Sequence, residues 1–144
     1  MMSAAALTAI AVIFVWLGMV IAISFIEAPV KFRAPGVDVR IGLGIGRLVF
    51  RALNTAEAAL AVVLLVTVVV GGWPTDALVA AVVAVVLLVA QLAGIRPALT
   101  RRSDRILAGH DEPRSKAHYA YIAAESAKVI ALLVAGILLL GAVG

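Results

Sequence analysis

The chain has 144 residues, of which 65% are hydrophobic and 14% charged, with a mean hydropathy of +1.18. Soluble domains contain about 45–50% apolar residues, so this composition argues against a soluble fold and indicates a single integral membrane domain over residues 1–144. The formal charge of +4 comes without a basic arm or an aromatic platform, which argues against nucleic-acid binding. The absence of cysteine excludes disulfides and thiolate metal sites.

Four apolar runs follow one another along the chain, each close to the ~20 residues that a helix needs to cross a bilayer. They cover residues 4–25, 48–70, 77–95 and 117–142. The first run lacks a positively charged leading segment and is longer than the ~7–15 apolar residues of a signal peptide, so we expect it to be retained. Pro29 is expected to fall in the first loop, Pro97 to end or kink the third span, and Ser115 to cap the fourth helix. The sequence therefore predicts an all-α, polytopic membrane protein with four transmembrane helices.

The positive charges indicate how these spans are oriented. Eleven of the twelve Lys and Arg residues lie in or beside the first and third loops, and Lys128 is the exception. Cytoplasmic loops of membrane proteins carry an excess of Lys and Arg. Both basic loops are therefore predicted to be cytoplasmic, which places the N and C termini outside a multi-pass inner (plasma) membrane protein.

Polar residues recur at helical spacing inside two of the spans. His118, Tyr121, Glu125 and Lys128 are separated by three, four and three residues, so they share one helix face. Arg47, Arg51, Asn54 and Glu57 share a face of the second helix in the same way. A charge at the centre of a lone span costs about 2.5–3.5 kcal/mol, so these side chains are expected to turn inward and pair. The simplest pairing joins Lys128 to Glu57, with Glu125 facing His118, Tyr121 or an arginine.

Besides a surface that binds a partner protein, two interpretations of this polar stripe stay open. In the first, the buried polar pairs fix helix register and have no chemistry. In the second, they line a polar cavity that opens to the cytoplasm and binds or moves an ion, a proton or a small solute. The candidate residues for this ligand or ion pathway come from all four helices, and they are Glu27, Arg51, Asn54, Glu57, Arg96, His118, Tyr121, Glu125 and Lys128.

Small residues predict close helix contacts. Gly42 and Gly46 form a GxxxG pattern before the second span. Ala77, Ala81 and Ala84 recur at a similar spacing on the third span. These surfaces, together with the small number of spans, predict a homo-oligomer or a place in a larger membrane complex, in addition to the contact with the lipid bilayer.

Enzyme and metal motifs are weak. No Ser-His-Asp order and no HExxH stands out, and the two histidines, His110 and His118, are separated by Pro113. We therefore expect a non-enzymatic protein with no metal site and no cofactor. An accessory subunit of a larger membrane complex is the first alternative, and a haem or quinone redox protein is the second.

Several short motifs resemble those of a broad group of small four-helix membrane proteins. The segments EAPVKFRAPGVDVRIGLGIGRLVF, RPALTRR and HYAYIAAESAKV carry the resemblance. The shared elements are Pro29, Phe32 and Arg33 after the first span, Arg96 and Pro97 after the third, and His118 and Tyr119 at the start of the fourth. The group has no known function, is distantly similar to CopD-type copper-resistance membrane proteins and has a eukaryotic branch linked to platinum-drug resistance. The resemblance implies a four-helix membrane fold and does not imply a reaction.

Overall fold

The computed structural model describes residues 3–110 and 116–144, and within them every regular element is helical. Four long helices follow in chain order, and each is long and apolar enough to cross a membrane. They are α1 (Ala4–Arg33), α2 (Val39–Val70), α3 (Thr75–Leu107) and α4 (Lys116–Val143). The predictions of an all-α fold and of four helices are confirmed. Ser115, the predicted cap of α4, lies outside the described residues.

The helix ends follow from local sequence. The Ser3 hydroxyl accepts a hydrogen bond from Ala6 N at 3.0 Å and caps α1. The Asp38 carboxylate accepts one from Ile41 N at 2.9 Å and caps α2. Gly71 and Gly72 end α2 with φ angles of +98° and +89°, a backbone conformation that favours glycine. The chain can therefore turn at this point directly into α3.

Two prolines that were expected to interrupt helices do not end them. α1 continues through Pro29 and α3 continues through Pro97, and in each helix a π-helical segment comes just before the proline. These segments are Ile21–Glu27 and Gln91–Ile95. Proline has no N–H and its ring clashes with the carbonyl four residues earlier. A wider turn relieves this clash, which explains why the helices extend well beyond the predicted spans.

α4 is the centre of the packing. It contacts α1 and α3 extensively, whereas α2 packs mainly on α1 and contacts α3 little. The core includes the fully buried side chains of Ile13, Trp16, Leu64 and Leu132. α2 is therefore separated from α3 along much of its length.

The small residues that predicted an oligomer are used inside the chain. Ala77, Ala81 and Ala84 are buried in the core. Gly42 and Gly46 are also buried, and they face the side chains of Phe32 and Lys31 from the short 3₁₀ turn that ends α1. The prediction that the two glycines support close helix packing stays a prediction, and what the structure adds is that each glycine accommodates a side chain from the end of α1. These residues are used within the chain, and the homo-oligomer stays a prediction.

Gly136 is the glycine at which α1 and α4 approach most closely. A Cβ atom at this position would lie 2.7 Å from Phe14 Cζ and 3.2 Å from Ile13 Cγ2, and Ile13 is fully buried. We expect Gly136→Ala to lower the free energy of unfolding by about 1–3 kcal/mol, the usual cost of overpacking. The measurement is reversible unfolding in mixed micelles.

Gly141→Ala is the matched control for this prediction. Gly141 lies on the same helix, and no neighbouring atom comes within 4 Å of the place that a Cβ atom would take. Alanine has the higher helix propensity, by about 0.8–1.0 kcal/mol, so Gly141→Ala should be neutral or stabilising. Equal losses in the two variants would contradict the close approach at Gly136.

Candidate functional site

Lys128 is the centre of a buried polar network. Its ammonium donates to Glu57 Oε2 at 2.6 Å and to Gln91 Oε1 at 2.8 Å, and it lies 2.6 Å from Glu125 Oε1. The side chains of Lys128, Glu57 and Glu125 are each 1% exposed. An ammonium has three N–H donors, so all of them have a partner. The predicted pairing of Lys128 with Glu57 is confirmed, and the structure adds a second carboxylate to it.

Each carboxylate oxygen of Glu125 has two polar partners. Oε1 lies near Lys128 and accepts from Gln91 Nε2 at 3.1 Å. Oε2 accepts from the hydroxyls of Ser24 and Tyr121, each at 2.5 Å. The carboxylate therefore has the four hydrogen-bonding partners that it can accommodate. The expectation that Tyr121 would face Glu125 is confirmed.

One edge of the network is incomplete. Glu57 Oε1 and Trp16 Nε1 are both buried and form no hydrogen bond. Only one carboxylate oxygen of Glu57 therefore has a partner, whereas both oxygens of Glu125 have partners.

Every helix contributes at least one side chain to the buried polar network, which we call the four-helix network. Its members are Ser24, Glu57, Gln91, Tyr121, Glu125 and Lys128. Both π-helical segments contribute to it, since Ser24 lies in the first and Gln91 begins the second. Removing Lys128 from such a buried cluster leaves two carboxylates without their cation. The arrangement therefore fixes the four helices relative to one another.

A large cavity lies beside the network, toward the end of the bundle that carries residues 31–51 and 96–105. We call this end the basic end. The cavity has a volume of about 1110 Å³ and is lined by residues of all four helices. One part of its wall is apolar and includes Phe25, Leu43, Phe50 and Leu92.

The polar part of the cavity wall is positively charged. Its lining, within the described residues, includes five Lys and Arg side chains and His118 but no Asp or Glu. The five cations are Lys31, Arg47, Arg51, Arg96 and Arg102. We call the space the cationic cavity. This charge pattern favours an anionic ligand over a cation.

Arg96 lines this cavity and has two donors without a hydrogen-bond partner. Its guanidinium carbon lies 4.4 Å from the centre of the Phe50 ring and 4.7 Å from the centre of the Tyr121 ring. Its Nε and Nη2 atoms are buried and form no hydrogen bond. Two aromatic rings therefore hold the guanidinium in place. The Nε and Nη2 edge has the planar geometry that pairs with two oxygens of a carboxylate or a phosphate, and a ligand reaches it only after a side-chain shift, because both atoms are buried.

Polar contacts join α2 to α3 at the basic end. Arg47 Nη1 lies 2.8 Å from Asp104 Oδ1, and Arg40 Nη2 donates to the Leu107 carbonyl at 2.8 Å. Lys31 lies 3.8 Å from Glu27 Oε2. Arg47 and Lys31 thus have acidic partners. Arg51 forms no ion pair with the residues that the structure describes.

The candidate residues separate into two groups. Arg51, Asn54, Arg96, His118 and Tyr121 line the cationic cavity. The other four do not line it, and they are Glu27, Glu57, Glu125 and Lys128. Three of these four are buried in or beside the ion-paired centre of the network, and Glu27 lies next to Lys31. Tyr121 lines the cavity and is also a member of the four-helix network, so it joins the two.

Sequence reasoning missed several members of the site. Ser24 was not singled out, although it lies three residues before Glu27 and so on a similar helix face. Lys31, Arg47 and Arg102 were used only to orient the spans or to mark a stripe, yet they line the cavity. Their place in the wall depends on the extension of α1, α2 and α3 beyond the predicted spans.

The two histidines lie in different surroundings. His118 lines the cationic cavity, whereas His110 is exposed and outside the lining. Within residues 3–110 and 116–144, no group of three or more His, Cys, Asp or Glu side chains could hold a metal ion. The redox alternative would use histidines on facing helices, but only His118 lines the cavity.

Comparisons with known proteins add no relative. No family model, curated protein or solved structure matches the chain. The resemblance to CopD-like membrane proteins therefore stays a prediction. Function has to be argued from the cavity and the network.

Proposed function

We propose that this chain is a non-enzymatic, multi-pass protein of the inner (plasma) membrane that binds an anionic solute in its cationic cavity. Binding is the step that the geometry supports, and movement of the solute is the activity that we expect it to serve. The observation that carries the proposal is the wall of the cavity, which contains five Lys and Arg side chains and, within the described residues, no carboxylate.

Membrane insertion is supported by the distribution of apolar residues. The helices expose many large hydrophobic side chains, among them Val69 at 86% and Val66 at 57%. A bilayer removes the cost of exposing such surface to water. We place the basic end in the cytoplasm, with both chain termini outside, because Lys and Arg are enriched in cytoplasmic loops.

The contacts of the acidic residues favour an anion over a cation as the ligand. Glu57 and Glu125 already share Lys128 and do not line the cavity. Arg96 and Arg51 do line it, and neither pairs with an acid among the described residues. A ligand that enters the cavity therefore meets positive charge first.

Arg96→Gln tests the proposal. The purified protein is screened by thermal unfolding against phosphate, sulfate, octanoate and octyl sulfate, with octylammonium as the oppositely charged probe. Anions should raise the unfolding temperature of the native chain and have little effect on Arg96→Gln, because glutamine removes the charge and the planar fork. Octylammonium should not stabilise either protein.

Arg101→Gln is the matched control. Arg101 belongs to the same helix but is exposed and does not line the cavity. It should keep the full stabilisation by anions. The proposal fails if all three proteins respond alike, or if octylammonium stabilises as strongly as octyl sulfate.

A further inference from the structure

We propose that the anion is the headgroup of a membrane lipid carrying a phosphate monoester, which enters the cationic cavity sideways from the bilayer between α2 and α3. This inference rests on the proposed function, since it names the ligand of the same cavity. It uses three further features of the site: its size, its apolar wall and the charge that is left without a partner.

The size of the cavity exceeds what an inorganic anion needs. Pockets for drug-sized ligands measure about 300–1,000 Å³, and a water molecule in the liquid takes about 30 Å³. The volume of about 1110 Å³ is therefore suited to a molecule with many non-hydrogen atoms. On α2 the lining runs from Val39 to Ala58, which at ~1.5 Å per residue is about 28 Å. The space is long as well as large.

The wall of the cavity is amphipathic. Arg51 and Arg96 each lie between apolar lining residues of their own helix, which are Leu43 and Ala58 on α2 and Leu92 and Leu99 on α3. Phe25 and Phe32 also line the space and are 41% and 43% exposed. A free inorganic anion gains nothing from this apolar surface. A lipid tail would cover it.

The gap between α2 and α3 provides a route for the tail. α2 contacts α3 little, and further along the two helices an apolar groove of about 100 Å³ lies between them. Leu65 and Val68 of α2 face Val82 and Val85 of α3 across this groove. A tail can extend from the cavity along this apolar surface while the headgroup stays beside Arg96.

The unpartnered charge selects the headgroup. Arg47 and Lys31 are already near Asp104 and Glu27. Arg51 and Arg96 line the cavity and form no ion pair with an acid in the described part of the chain. A phosphate monoester carries about −1.5 to −2 charges at pH 7, which matches two arginines. A phosphodiester or a fatty acid carries one charge.

Native mass spectrometry of the protein in a neutral detergent tests the inference. The full chain is titrated separately with dioleoyl phosphatidate, dioleoyl phosphatidylglycerol and dioleoylglycerol, which share their tails and differ in headgroup charge. One phosphatidate should be retained per chain, at least tenfold more tightly than either of the other lipids. Arg96→Gln should lose this preference, and Arg101→Gln should keep it.

A second arm separates the lipid from a free anion. Inorganic phosphate is added to the complex with phosphatidate, and it should displace little lipid even in large excess, because it cannot replace the tail contacts. Displacement of phosphatidate by phosphate at comparable concentration would identify a free anion as the ligand and overturn the lipid inference alone. Equal retention of all three lipids would also overturn it.

The two proposals can fail separately. If octyl sulfate or phosphate stabilises the native chain through Arg96 but phosphatidate is not preferred, the cavity binds anions and the lipid inference is wrong. If neither the stabilisation by soluble anions nor the retention of phosphatidate depends on Arg96, both proposals are wrong. Thermal unfolding of Arg96→Gln without ligand shows whether the variant is folded, and Arg51→Gln provides a second charge-removing variant in the same wall.

Discussion

Lys128→Met should lower the free energy of unfolding by about 3–5 kcal/mol, the usual cost of removing one partner from a buried ion pair. The ammonium is the only cation that directly contacts the two buried carboxyl groups of Glu57 and Glu125 within the described residues. Without it the two acids lie close together in a medium of low dielectric constant, which is unfavourable. The measurement is reversible unfolding in mixed micelles at neutral pH.

Neutralising the acids tests the cause of this loss. Glu57→Gln keeps an oxygen that can accept from Lys128, so alone it should cost about 1 kcal/mol, the scale of one hydrogen bond. The triple variant Glu57→Gln, Glu125→Gln, Lys128→Met removes every charge of the group and should recover much of the loss. Additive losses in the triple variant would show that packing, and not charge, sets the effect.

The structure makes the expected losses unequal. Spacing along two helices predicts a pair, in which removing either partner would cost about the same. In the structure Lys128 has two carboxylate partners. Removing the lysine therefore leaves two acids without a cation, whereas removing one acid leaves the other acid paired with the lysine. Glu125→Gln should lie between the two, because an amide has one oxygen in place of the two that accept from Ser24, Tyr121 and Gln91.

Labelling of single introduced cysteines should show which end of the helix bundle faces the cytoplasm. The protein contains no cysteine, so each introduced thiol is the only one. With the basic end in the cytoplasm, Thr75→Cys should react with an impermeant maleimide in intact cells, and Ala34→Cys and Ala108→Cys should not. The three positions are exposed. Reaction at 34 and 108, with protection at 75, would invert the orientation.

The choice of positions follows from backbone geometry. The nearby glycines Gly36, Gly72 and Gly109 have φ angles of +82°, +89° and +99°, where a cysteine would be strained. Ala34 and Ala108 have φ angles of −70° and −79°, which cysteine adopts readily. All three variants should react after the cells are permeabilised, which controls for the accessibility of each thiol.

The parts of the structure that follow from periodicity could be predicted from the sequence. Apolar run length indicates the number of helices, and the 3.6-residue period placed Glu57, Glu125 and Lys128 on inward faces, where the structure buries them. Their pairing followed because a buried lysine needs an acid at similar depth. These arguments use only the residue pattern within a single helix, or the relative direction of two helices.

The segregation of charge in the interior could not be predicted in this way. Arg51 and Glu57 belong to the same stripe of α2, yet Arg51 lines the cavity and Glu57 lies in the four-helix network. Which residues line a cavity depends on how far α2 stands from α3, and no pattern within one helix contains that distance. The continuation of α1 through Pro29 was missed for a related reason, since a π-helical segment has no clear sequence signature.

The π-helical segments bear on how the chain tolerates a change in length. An α-helix turns about 100° per residue, so deleting one residue from the regular part of α1 would rotate Lys31 and Phe32 away from Gly46 and Gly42. A π-helical turn already holds an extra residue between correctly aligned flanks. A deletion within Ile21–Glu27 or Gln91–Ile95 can be absorbed by a return to ordinary α-helical geometry. Such a shortened chain would keep the direction of its flanking helices, but it would lose the placement of Ser24 or Gln91 on Glu125. It would also bring the proline ring back against the carbonyl four residues earlier, so its packing beyond the proline should be weakened.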